Sequence, residues 1–291
     1  MQRRTFWWLL CLSLSIILPA CNKQVDDNSN ADTDAAVALQ IQNLAYGSGV
    51  QQVADVYLPA NRSAQTTSCV IMLHGGSWVS GDKTDNNIYI PMVQKILPNV
   101  AIVNMNYTLS NGSPATAHPA QVNDIGQLLK LVDSKAASWH IKKQYAMSGI
   151  SAGGQLAMLY SYKYDAGKQI KMVASFVGPT DLTDPFYVNH PLISQILASL
   201  IGKTYAQDPA LYASLSPALL VNSQSPPTFM VYGGADPLVP VSNPTLLAQN
   251  LQAKNVPFQY DFYPAETHDL SATAVNASLL HLGDFWKQYM P

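Results

Sequence analysis

The chemistry-bearing residues of this chain sit in a few short, glycine-rich segments, each directly behind an apolar run. Gly149, Ile150, Ser151, Ala152 and Gly153 spell G-x-S-x-G between the run over residues 145–150 and a helical stretch from Gly154. A serine on so sharp a strand-to-helix turn is forced into a strained backbone, and its neighbours must be small for the two elements to approach. Such a serine suits nucleophilic attack on a carbonyl; the bland alternative is a glycine-rich turn that cradles a phosphate. His74, Gly75, Gly76, Ser77 and Trp78 follow the run over 69–73. Glycines there let a loop turn its N–H groups toward a developing oxyanion, with His74 holding the loop's shape by hydrogen bonding.

A nucleophilic serine needs a base, and the base needs an orienting acid. Asp236 follows the run over 228–232 within Gly233, Gly234, Ala235, Asp236, Pro237, and His268 follows the run over 258–263 within Glu266, Thr267, His268, Asp269. Both fall at the carboxyl ends of strand candidates, the edge at which Ser151 emerges, so the three can converge in the order Ser, Asp, His. Asp181, in Gly178-Pro179-Thr180-Asp181-Leu182, competes with Asp236 for the acid's place. Asp269 adjoins His268 on one loop and is poorly placed to reach its inner nitrogen. His118, His140, His190 and His281 read as ordinary surface or core residues.

These segments need a scaffold that brings strand ends together. Runs over 53–58, 69–73, 100–107, 145–150, 172–177, 228–232 and 258–263 are mostly apolar without alternation, which suits strands covered on both faces. Val122, Ile125, Leu129 and Val132 step at helical period, a helix is expected over 154–163, and Leu279, Leu282, Phe285, Trp286 and Tyr289 mark a terminal one. Strand and helix in regular succession predict an α/β domain with a mostly parallel twisted sheet and helices on both faces. Residues 185–222, broken by Pro185, Pro191, Gly202, Pro209 and Pro217, read as a small helical cap over the sheet's carboxyl edge. Trp78, Tyr107, Ile150 and Phe186, with Tyr187 and Ile193, are the apolar candidates for a substrate pocket.

Composition narrows the partners. The 291 residues carry 16 Lys and Arg against 18 Asp and Glu, a net charge of −2, with 48% hydrophobic and 12% charged side chains. That excludes a disordered chain, and the lack of a basic excess argues against a nucleic-acid partner. Glu266 is the lone glutamate, which leaves little for a carboxylate-rich metal site; no metal or cofactor is expected. Residues 1–20 pair Arg3 and Arg4 with an apolar run over 6–18, shorter than a bilayer span, and read as a signal peptide. Leu18-Pro19-Ala20-Cys21 resembles a bacterial lipobox, so Cys21 is the expected lipidation site, and with it export and membrane attachment through the lipid; ordinary cleavage and secretion is the alternative. Residues 21–36 read as a flexible tether and 37–291 as the catalytic domain. Cys69, alone after Cys11 and Cys21, reads as a buried small hydrophobe.

Taken together, HGGSW at 74–78, GISAG at 149–153, GPTDL at 178–182, GGADPLVP at 233–240 and THDL at 267–270 resemble the α/β-hydrolase superfamily. More narrowly they resemble its esterase and lipase group, with hormone-sensitive-lipase-like, feruloyl-esterase-like and kynurenine-formamidase-like members. The likeness covers about residues 50–290 and implies the α/β-hydrolase fold with a small helical cap insertion. It implies a Ser151, Asp236, His268 triad and an oxyanion hole from the amides near Gly75, Gly76 and Ser77 plus that of Ala152. Ser77 stands where many lipase-like members carry a third glycine. The expected reaction is hydrolysis of short or medium acyl esters through an acyl-enzyme, on a small-molecule or carbohydrate-linked substrate. Amide hydrolysis of arylformamidase or peptidase type with the same triad is the alternative, and a catalytically silent binding domain is the third reading.

Overall fold

The computed structural model describes residues 33–290. The signal peptide expected over residues 1–20 and the lipidation expected at Cys21 fall outside them. Eight strands form one sheet: β1 (Leu39–Ala45), β2 (Val53–Leu58), β3 (Ser68–Leu73), β4 (Val100–Met105), β5 (Tyr145–Ile150), β6 (Ile170–Phe176), β7 (Thr228–Gly233) and β8 (Phe258–Tyr263). Their order across the sheet is β1-β2-β4-β3-β5-β6-β7-β8. The first two join antiparallel, β2 pairs antiparallel with β4, and every pairing from β4 to β8 is parallel. The continuous runs of Val, Ile, Leu and Met are central strands buried on both faces, as β3, β4 and β7 are at every position.

Helices cover both faces. α1 (Ile90–Ile96) and α9 (Ala272–Tyr289) lie on one; α2 (Ala120–Lys135), α3 (Ala152–Leu159) and α8 (Ser242–Ala253) lie on the other. α3 continues into a π-turn over Tyr160–Tyr164. Between β6 and β7 the chain makes four short helices, α4 (Pro185–Asn189), α5 (Pro191–Ile201), α6 (Pro209–Ala213) and α7 (Pro217–Leu220). Each opens on a proline, whose missing N–H is one the helix start would leave unpaired anyway. Asp184, His190 and Asp208 cap the first three by accepting backbone N–H bonds. The prolines read in the sequence as interruptions are therefore the starts of the cap's helices.

Three features differ from the sequence expectation. β1 has no counterpart there: it is an edge strand whose pairing with β2 is broken by an irregularity between Ile41 and Leu44, so no clean alternation marks it. α1, seven residues or about two turns long, is too short to show a period. Fixed contacts also begin before 37, inside the segment assigned to the tether. Thr33 donates its N–H and its hydroxyl to the Ser138 carbonyl, at 3.0 and 2.7 Å. The Arg62 guanidinium, almost fully buried, binds the carbonyls of Val37, Pro59 and Trp139 and the Thr33 hydroxyl. Cys69 is buried in β3, and burial raises its thiol pKa, which keeps it protonated and unreactive.

Candidate active site

Ser151 sits between the end of β5 and the start of α3 with φ 52° and ψ −121°, a conformation that costs a non-glycine residue about 1–3 kcal/mol. The neighbours hold it there. Its N–H donates to the Phe176 carbonyl at 2.8 Å, and its carbonyl accepts from the Gln155 N–H at 3.1 Å. Gly149 and Gly153 are required by approach: a Cβ on the first would collide with the Gly153 backbone, and one on the second with the carbonyls of Leu73 and His74. β3, β5 and α3 thus touch backbone to backbone, which pushes the Ser151 hydroxyl clear of the sheet.

His268, on the loop after β8, reaches both partners. Its Nε2 lies 2.9 Å from Ser151 Oγ and its Nδ1 2.8 Å from Asp236 Oδ2. A carboxylate oxygen only accepts, so Nδ1 carries the proton of the neutral imidazole and Nε2 is left to accept from the serine hydroxyl. The Asp236 side chain is 1% exposed. Its other oxygen accepts the N–H groups of Leu238 at 2.7 Å and Val239 at 2.9 Å, so it cannot swing away from the imidazole. Asp181, the sequence's competing acid, is committed elsewhere: its Oδ1 accepts from the N–H and hydroxyl of Thr183.

The loop after β3 supplies the amides. Gly76, Ser77 and Trp78 all have positive φ, at 104°, 54° and 62°, and a run of such residues curls successive N–H groups toward one point. The N–H groups of Gly76 and Ser77 have no acceptor among the described residues, and that of Ala152, first residue of α3, has no intrahelical one. Three free donors and the positive end of α3 therefore border the serine hydroxyl. Gly75 lies against Ser151, its would-be Cβ 3.4 Å from the serine Cβ.

Sequence reasoning misplaces two of the pocket candidates. Tyr107 is fully buried and lines neither of the two cavities beside Ser151. Its ring stacks on His74 at 4.3 Å and 9°, and its hydroxyl donates to the carbonyls of His74 and Gly75 at 3.0 and 3.3 Å. It props the loop from behind. Phe186 is 37% exposed at the start of the cap and lines neither cavity; it packs on Tyr187 and His190 from outside the lining. Trp78 and Ile150 do line the space beside Ser151. His74 hydrogen-bonds within its own loop, donating Nδ1–H to the Gly75 carbonyl at 2.7 Å; burial lowers its pKa and keeps it neutral. Gln155 escapes notice in the sequence because a glutamine inside a helix looks like a surface residue. It is buried, accepts from the Trp78 indole N–H at 2.9 Å and donates to the Leu215 carbonyl at 2.9 Å, which fastens amide loop, α3 and cap to one another.

Two cavities meet at Ser151 and His268. One, about 470 Å³, runs past Gly75, Gly76, Ser77 and Ile150 toward the face covered by α1 and α9. The other, about 240 Å³, lies under the cap and is walled by Trp78, Tyr187, His190, Ile193 and Ile196.

Comparison with known proteins agrees with this arrangement. The chain is 24% identical to esterase LipQ of Mycobacterium tuberculosis over 252 residues, 81% of its own length, but spans 59% of that relative. It is 24% identical over 226 residues to the kynurenine formamidase of Meyerozyma guilliermondii, covering 74% of this chain and 82% of that one. The solved structure of a truncated carbohydrate esterase from gut microbiota superposes with a TM-score of 0.75 at 19% identity, covering 89% of this chain and 99% of the other, and shares its α/β-hydrolase fold. Residues 54–251 match the BD-FAE family, and with its eight-stranded sheet and serine-bearing turn the chain belongs to that family.

Proposed function

We propose that the chain is a serine carboxylic-ester hydrolase acting on short or medium acyl esters. The observation that carries this reading is the single imidazole bonded at once to Ser151 Oγ and Asp236 Oδ2. Ser151 attacks the ester carbonyl while its proton passes to His268 Nε2, and the imidazolium is stabilised by the Asp236 carboxylate. The carbonyl oxygen becomes an oxyanion facing the amides of Gly76, Ser77 and Ala152. Collapse breaks the bond to the alcohol, which leaves with the proton from His268. Water, deprotonated by the same nitrogen, then releases the acid and restores the serine. The esterase names of several relatives support the ester, and the carbohydrate esterase that shares the fold supports a carbohydrate-linked alcohol.

Ser151→Ala tests the mechanism. Hydrolysis of p-nitrophenyl acetate should fall by about 10⁴-fold or more with the circular dichroism unchanged; near-normal turnover would end the proposal. The formamidase relative, matched over most of its length, favours one second reading, hydrolysis of an amide by the same groups. N-formylkynurenine assayed beside the ester series decides between them by kcat/KM.

A further inference from the structure

The larger cavity does not end at the catalytic groups. It continues down the face of the sheet that α1 and α9 cover. On that face the central strand β5 presents Ala146 and Ser148 below Ile150. Ala146 pairs in register with Val70 of β3 and Met172 of β6, and Ser148 pairs with Met72 and Ala174. Small side chains at 146, 148 and 174 leave a trough in the middle of the sheet, and the helices opposite do not fill it. Val93 from α1, Leu97 just beyond it, and Leu279, Leu282 and Trp286 from α9 form its far wall. Ser148 is only half-buried at a mid-sheet position that a filled interface would seal, and its hydroxyl has no partner among the described residues. Asp85, Asn86, Tyr89 and Asp269 also line the cavity; of these, Asn86 donates to Asn104 and Asp85 accepts the Asp82 N–H.

We propose that this trough is a channel for the acyl chain of the substrate and that the enzyme prefers esters of straight, medium-length aliphatic acids. The proposal rests on the esterase reading and deepens it. From the level of Ile150 to that of Ala146 is four residues, about 13 Å at the rise of a strand. A zig-zag of C–C bonds of about 1.5 Å covers that distance with about ten carbons. Most of the wall is apolar, from Val70, Met72, Leu97, Met172, Leu279 and Leu282, so it offers an acyl chain contact along its length. The alcohol half of the ester is then left to the cavity under the cap.

The test is a series of p-nitrophenyl esters from acetyl to dodecanoyl, read as kcat/KM, together with calorimetric binding of octanoate. In the wild type kcat/KM should rise by about threefold to fourfold per methylene up to octanoyl and fall by dodecanoyl. Ser148→Leu, which fills the trough halfway down, should lower octanoyl kcat/KM by about tenfold or more while acetyl stays within about twofold. Leu282→Trp, which closes it from the helix side, should do the same. Octanoate should bind the wild type and not Ser148→Leu. A series that falls from acetyl upward, with octanoate unbound, overturns the channel, while acetyl turnover leaves the esterase reading standing. Octanoate binding that Ser148→Leu abolishes, in a protein that cleaves none of the esters, upholds the channel and removes the esterase reading instead.

Discussion

The two oxygens of Asp236 have separate tasks, and this fixes what its replacement would do. One accepts two backbone N–H groups; the other faces His268 Nδ1. An asparagine must keep its single oxygen toward the two N–H donors, so its amide NH₂ would face the imidazole. Nδ1 could then only accept, the ring proton would move to Nε2, and the nitrogen facing Ser151 would no longer be a base. Asp236→Asn should therefore lower kcat by about 10⁴-fold with the fold unaltered, and a loss of less than about tenfold would show that the carboxylate does not set the tautomer. Ser151, Asp236 and His268 were legible in the sequence because each lies just past its own apolar strand, where local pattern predicts position. Tyr107 was not. An aromatic beyond a strand end looks the same facing a cavity or a neighbouring loop, and only the carbonyls of His74 and Gly75 that its hydroxyl reaches decide which.

At the scale of elements, the amide loop is held by the segment behind it. Just after the loop, a 3₁₀ turn over Lys83–Ile88 packs on β2 and β4 through buried polar groups. Lys83 Nζ lies 2.9 Å from Asp55 Oδ2, with 6% and 7% of the two side chains exposed, and the Asn104 side chain donates to the Lys83 carbonyl. Such a pair contributes little net stability against an apolar replacement of both partners, but removing one leaves a buried charge uncompensated. Lys83→Met should destabilise the fold by about 3–5 kcal/mol in denaturant titration, whereas Asp55→Leu combined with Lys83→Met should recover much of it. Equal losses in the single and double variants would show that the isolated carboxylate is not the cause. None of this was visible in the sequence, where Lys83 and Asp55 are two charges among many. Element types along the central sheet were legible because strands covered on both faces leave unbroken apolar runs; β1, half-exposed at the edge, leaves none.

Across the whole molecule, acid stability should depend on a histidine far from the chemistry. Burial, with added repulsion from Lys163, lowers His118 to about 4 from its ordinary 6.5. The folded chain thus resists a proton that the unfolded chain takes up at the ordinary value. The unfolded state holds the excess proton from pH 6.5 down to about 4, and stability drains away as pH falls through that window. His118→Gln, whose amide can still meet the Tyr164 hydroxyl that His118 Nε2 contacts at 2.9 Å, should lose less Tm than the wild type between about pH 7 and about pH 5. Identical losses would refute the assignment; His74, also lowered by burial, is present in both proteins. The sheet order carries a last consequence. The nucleophile stands on the central strand, while the base follows β8 at the far margin, and α9, which walls the trough, comes after it. A ribosome that has delivered everything up to residue 257 has made the hydroxyl and its amide cradle without anything to draw off the proton. Turnover therefore begins only once β8 and the loop behind it have threaded into place.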